Sequence, residues 1–208
     1  MYPAPSLDEV RRILKQKPSK IIGILFAPLY GQFGRELLVP RLGYLNARTS
    51  KYIHFFCAGY GGYGFADDIT KIGDVSYDNG LVIPWGFSPT KFASFVEEFE
   101  GATNWRYGGE TELILTRTDI AFSECILFDI DAMIKDGAVD TGGRLFEKII
   151  QYARENNSDA QISDLSDRQG LHVFAESAQD VILNSLPGMA KSLWKHGKHY
   201  RTRNLERA

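Results

Sequence analysis

Four acids in one stretch of the chain, Asp129, Asp131, Asp140 and Glu147, are the residues whose type and spacing best suit chemistry. Two carboxylates held close together can bind a divalent ion through oxygen ligands. They can also split their proton affinities, so that one acts as acid and the other as base. Asp129 and Asp131 meet this requirement if both lie on a strand, because side-chain direction alternates with a period of two and both then project from one face. The expected catalytic set is therefore Asp129, Asp131, Asp140 and Glu147, acting on a glycosidic or phosphate bond. The cofactor is left open: a divalent metal is compatible with these acids, but no residue is singled out as a metal ligand.

A second group of residues suits ligand contact. Residues 59–68, GYGGYGFADD, interleave glycines with aromatics. Glycine lets the backbone approach another group, and an aromatic ring can stack on a planar ligand. Tyr60, Gly61, Gly62 and Tyr63, with Gly142 from the acidic stretch, are the expected ligand-binding residues. The pattern is not a phosphate-binding GxGxxG, because no helix start follows it.

The elements that must position these residues follow from hydrophobic periodicity. Residues 125–131 read as a buried strand ending in acids, followed by a loop with a Gly-Gly pair and an amphipathic helix that runs to Ala153. Ligands of open α/β sheets settle outside the carboxyl ends of strands, which places the acids where a site is expected. Residues 20–27, KIIGILFA, have no polar interruption beyond the first lysine and predict a central strand covered on both faces. A helix over 33–46, with a kink or restart at Pro40, leads to a second apolar strand over 52–58. Together they predict a right-handed βαβ unit.

Ser6 and Glu9 have capping-box spacing ahead of a short helix. Ser88-Pro89 opens another, whose stripe of Phe92, Phe95, Val96 and Phe99 reads as core. A short strand is expected at 81–85, stopped by Pro84. The strand at 112–118 is too close to the one at 125–131 for a parallel crossover, so the two must pair antiparallel, with Asp129 and Asp131 across from Glu112. A last strand at 171–175 and a helix at 178–186 complete the expectation. The predicted fold is a single three-layer Rossmann-like α/β domain over residues 1–188 with a mixed, mostly parallel sheet, followed by a helical basic C-terminal tail over 189–208.

Composition narrows the function classes. A chain of 208 residues with 44% apolar residues can bury one substantial core. A net charge of −2 gives no global attraction to nucleic acid or to acidic membranes. Local attraction is confined to the tail, where Lys191, Lys195, Lys198, Arg201 and Arg203 surround Trp194 and Tyr200 and suit a protein partner or nucleic acid. Cys57 and Cys125 lie in apolar runs and read as small core hydrophobes. No apolar run has the length of a membrane span, so a cytoplasmic setting without membrane contact is expected.

Two short stretches resemble known families. ILFDIDAMI resembles the nucleophile motif of the haloacid dehalogenase phosphohydrolases, with Asp129 in the nucleophile's place and Asp131 in that of the acid/base. It departs from the family at Met133, where a small Thr or Val is usual. Leu25-Phe26-Ala27-Pro28, taken with Asp140-Thr141-Gly142 and Glu147, is similar to the strand turn and catalytic segment of nucleoside deoxyribosyltransferases and related N-glycosidases. That resemblance implies a carboxylate acting on an oxocarbenium-like sugar while aromatics hold the base. The Asp-to-Glu spacing is one residue longer than the family's, which turns a helical side chain by about 100°. The residues favour a nucleotide- or nucleoside-binding enzyme of the hydrolase or glycosyl-transferring kind. The alternative is a non-enzymatic subunit of an assembly, binding through aromatic surfaces and the basic tail.

Overall fold

The computed structural model describes residues 1–17, 21–49, 52–62, 64, 66–77, 80–117, 122, 125–135, 143–155 and 200–207. The expected strand at 171–175 and helix at 178–186 lie outside them, as do Asp140 and Gly142.

The chain opens with a short strand β1 (Tyr2–Ala4) and helix α1 (Leu7–Gln16). Ser6 caps α1 by accepting from Glu9 N at 3.2 Å, and Leu7, Val10, Ile13 and Leu14 are its buried stripe. Strand β2 (Ile21–Phe26) is buried along its whole length, as its unbroken apolar run demands. A π-helical turn (Gly34–Leu38) then runs into α2 (Val39–Thr49). The restart expected near Pro40 is this π-to-α junction: Val39 N donates to Gly34 O, and proline brings no N–H to continue the ladder.

Strand β3 (His54–Ala58) follows and is buried throughout. Next come β4 (Tyr60–Gly62), β5 (Thr70–Ser76) and β6 (Val82–Phe87), then α3 (Pro89–Ala102), capped by Ser88 through Lys91 N. Pro84 does not stop β6. It lies beyond Gly62↔Trp85, the last described pairing with β4, and opposite Asp74 of β5, so its missing N–H removes no bond to β4 there. The chain continues through β7 (Glu112–Arg117), β8 (Cys125–Asp129), α4 (Ile130–Lys135), α5 (Gly143–Glu155) and β9 (Tyr200–Arg203).

The main sheet has the order β1-β3-β2-β7-β8-β9, and a second, three-stranded sheet has the order β4-β6-β5. β1, β3 and β2 pair in parallel, while β2–β7, β7–β8 and β8–β9 pair antiparallel. The fold is thus mixed α/β. β1, β3, β2 and β8 run one way, β7 and β9 the other. The β7–β8 hairpin has the expected register, with Glu112 opposite Asp129.

Two expectations are corrected. β8 ends at Asp129 and a helical turn begins at Ile130, so Asp131 does not share a strand face with Asp129. The basic tail is not helical at residues 200–203, which form β9 at the sheet edge. Beyond β9, Leu205 is fully buried, its N–H donates to Phe122 O at 2.6 Å, and Arg207 donates to Gly101 O at the end of α3.

Ring contacts show what covers each face of β2 and β3. Phe26 packs on Phe95 and Phe99 of α3 and on Trp105, with ring centroids 5.7, 5.3 and 4.4 Å away. Phe55 of β3 pairs with Gly23, one step out of phase with Phe26, and therefore faces the other side, where Phe146 of α5 lies 5.1 Å away. Gly23 makes room for that ring, since a Cβ there would stand 2.4 Å from it. Among the described residues no helix is long and apolar enough to cross a membrane.

Candidate functional site

The described acids that come closest to a site gather where β2 ends, β7 begins and β8 ends. Because β7 is antiparallel to both neighbours, one row across the sheet holds Phe26, Glu112 and Asp129. This row lies where the parallel half of the sheet meets the antiparallel half. The loop after α3 closes over it.

Glu112 is buried at 6% exposure, and its charge is met by donors from that loop. Trp105 Nε1 donates to Oε2 at 2.8 Å, and Gly108 N donates to Oε1 at 2.7 Å. Gly108 is required for this approach, because a Cβ there would stand 2.8 Å from Oε1. Tyr107 is held between these donors, its own N–H donating to Glu100 Oε1 at 2.8 Å. Burial pushes its phenol well above the usual tyrosine range, and the charges of Tyr30, Glu112, Asp131 and Glu110 push the same way. The hydroxyl therefore stays protonated and remains a donor.

The β8–α4 junction is tied to the start of β7 through both backbone groups of Thr111. Ile130 N donates to Thr111 O at 2.9 Å, and Thr111 N donates to Asp131 Oδ2 at 2.8 Å. Asp129 Oδ1 accepts from Ala132 N at 3.0 Å and so caps the first turn of α4. Three polar atoms here are buried without a hydrogen-bond partner: Tyr107 Oη, Thr111 Oγ1 and Asp131 Oδ1. Thr111 has no exposed surface, whereas Tyr107 and Asp131 are half-buried. The Pro28–Gly31 turn, closed by Gly31 N donating to Pro28 O at 3.0 Å, passes over Thr111: a Cβ at Gly31 would stand 3.7 Å from Thr111 Oγ1.

Of the residues selected from the sequence, Asp129 and Asp131 meet at this junction. Glu147 does not join them. It lies on α5 and ties that helix to α2, accepting from Tyr44 Oη at 2.7 Å and Arg48 at 3.2 Å. Tyr60 is fully buried, and its hydroxyl donates to Ala27 O at 2.7 Å, so the ring packs in the core. Gly61 and Gly62 are β4 residues paired with Gly86 and Trp85. Asp140, Gly142, Tyr63, Lys191, Lys195 and Lys198 lie outside the described residues, as do the side chains of Arg201 and Arg203. Among the described residues, no group of three or more His, Cys, Asp and Glu comes together as metal ligands.

Tyr107, Thr111 and Glu112 were not selected from the sequence. The available signal was the hairpin register, which sets Glu112 against Asp129, together with the aromatic loop WRYGG just before β7. Comparison of the chain with models of known families, with curated proteins and with solved structures gave no match.

Proposed function

We propose that this chain is a Rossmann-like three-layer domain that binds a nucleotide- or nucleoside-like small molecule where β2, β7 and β8 end. Asp131 is the carboxylate offered to a glycosidic or phosphate bond undergoing cleavage or transfer. The observation that carries this reading is the set of unpartnered buried atoms Tyr107 Oη, Thr111 Oγ1 and Asp131 Oδ1. Each such atom costs free energy when left unmade, and buried polar groups in folded proteins nearly always have partners. A ligand bearing hydroxyl groups supplies all three: a hydroxyl donates to the carboxylate and accepts from the phenol and the threonine. Entry requires the Pro28–Gly31 turn to move aside. Asp140 stays in the proposal as a further ligand contact, and the basic tail as a contact for a protein or nucleic-acid partner. A cytoplasmic setting is proposed with it, since the two buried cysteines form no disulfide.

The test is thermal melting with a panel of nucleosides and nucleotides, with and without Mg²⁺. A ligand at a hundred times its dissociation constant adds about 2.7 kcal/mol to stability. The expected result is stabilisation by at least one member, lost in Thr111→Val and Asp131→Asn. Absence of any shift across the panel refutes the proposal. It would favour a non-enzymatic assembly subunit, to which the adjacent Leu81 and Val82, 52% and 54% exposed at the start of β6, would offer an apolar contact.

A further inference from the structure

The polarity of the strand-end site carries a statement about which ligand it accepts. We infer that the site takes the uncharged nucleoside and rejects its phosphorylated form, and that Tyr30 sets specificity by stacking on the base. This rests on the nucleoside-binding reading and deepens it.

The charge census around Tyr107 supports the first half. Asp131 accepts from Thr111 N at 2.8 Å, Glu112 accepts from Gly108 N at 2.7 Å next to Tyr107, and Asp129 stands opposite Glu112 across the hairpin. Among the described residues, the cations on neighbouring elements are engaged or remote. Arg106 Nη1 donates to the carbonyls of Glu100, Thr103 and Trp105 at 3.1, 3.3 and 2.6 Å. Arg35 pairs with Glu36 at 3.7 Å, and Lys135 closes the far end of α4. A phosphate offers only acceptors and negative charge, so it finds the Asp131 carboxylate where it needs a cation. A pair of adjacent ribose hydroxyls instead donates to Asp131 Oδ1 and accepts from Thr111 Oγ1 and Tyr107 Oη. Thr111 supplies the evidence independent of the acids: it is a fully buried hydroxyl with no partner, lying under the turn that carries Tyr30.

Tyr30 supports the second half. Its side chain is 72% exposed, the most of any large apolar residue described. It is carried on the Pro28–Gly31 turn, which passes over Thr111. A ring on that turn, with its body in water, is placed to cover a planar base.

The experiment is isothermal titration of the full chain with adenosine and with AMP, without divalent ions, using wild type, Tyr30→Ala, Tyr30→Phe and Asp131→Asn. Adenosine should bind at least about tenfold more tightly than AMP, and Asp131→Asn should lose the adenosine binding that wild type shows. Tyr30→Ala should weaken adenosine about tenfold or more while Tyr30→Phe retains it, as expected for stacking. Tyr30 is exposed, so neither variant should threaten the fold, which melting curves of both would check. Equal or tighter binding of AMP overturns the inference while leaving nucleoside binding intact. Unchanged adenosine affinity in Tyr30→Ala overturns the stacking role. Binding of neither compound overturns the inference, while the wider nucleoside and nucleotide panel decides the underlying reading.

Discussion

Trp105 donates its indole N–H to Glu112 at 2.8 Å, inside a core where the Trp105 ring also stacks within 4.4 Å of Phe26. The start of β7 is thereby locked to the loop before it. Removing the carboxylate strands the buried Trp105 Nε1 and the part-buried Gly108 N. Each unsatisfied group costs about 1–3 kcal/mol, so Glu112→Ala should lower the unfolding free energy by about 2–5 kcal/mol in urea titrations. Glu112→Gln, which keeps one acceptor, should cost less. In a double-mutant cycle with Trp105→Phe the two residues should be coupled by about 1 kcal/mol or more.

The scaffold around this pair was legible where single segments decide the outcome. An unbroken apolar run marked β2, a run apolar except for His54 marked β3, and the short link between residues 117 and 125 forced β7 and β8 to pair antiparallel. Four strands were not legible, among them β4, whose three residues lie in the glycine-rich stretch read as a ligand contact. β1 is three residues containing Pro3, β5 is mostly exposed or half-buried, and β9 is the basic YRTR. β1 and β9 pair on one side only, at the two ends of the main sheet, and β5 lies at an end of the second sheet. Such strands need no continuous apolar pattern. The candidate site was half legible for a related reason. The acids announced the β8–α4 junction, but Asp131 turns onto a helix there. The partners that define the site, Thr111 and Tyr107, come from a loop whose path depends on tertiary packing.

Asp68 gives a pH-dependent contribution at the start of α3. It accepts from Ser88 Oγ and, at 2.8 Å, from Thr90 N, and these bonds hold its carboxyl down from 3.8 to about 2. A depressed folded-state value means that the stabilisation is complete above 3.8 and is lost as pH falls toward about 2. Asp68→Asn should therefore melt below wild type near neutral pH, and the gap should close between those two values. A gap that persists unchanged at the acid end would show that the carboxylate charge is not its source.

Gly59 is irreplaceable for two separable reasons. Its φ is +75°, and a Cβ would stand 2.8 Å from Phe92 Cα at the start of α3. Gly109 shares the left-handed conformation, at φ +90°, but has nothing within 4 Å of the same position. Gly109→Ala should cost only the conformational penalty, about 1–2 kcal/mol. Gly59→Ala should cost that plus the overlap with backbone, several kcal/mol in all. Chemical denaturation of the two variants separates the terms.

Both cysteines should be silent in the folded protein. Cys57 and Cys125 have no exposed surface, and burial pushes the Cys57 thiol up to about 12. Since the thiolate is the reactive form, neither should react with a disulfide reagent at neutral pH on the timescale of unfolded controls. Both should titrate once denaturant is added. A fast-reacting thiol in the native protein would mean that β3 or β8 opens locally.

Asp129 and Asp131 stand two residues apart but have different work to do, and stability and binding should separate them. Asp129 caps α4 through Ala132 N, so Asp129→Ala should cost about 0.5–2 kcal/mol and Asp129→Ser should recover most of it. Neither change should abolish ligand-induced stabilisation. Asp131→Asn keeps an oxygen for Thr111 N but replaces the unpartnered Oδ1 acceptor with a donor. Its melting temperature should stay close to that of wild type while nucleoside-induced stabilisation disappears. The opposite result, with binding lost in the cap variant and kept in Asp131→Asn, would assign the chemistry of this junction to the strand end rather than to the helix turn that follows it.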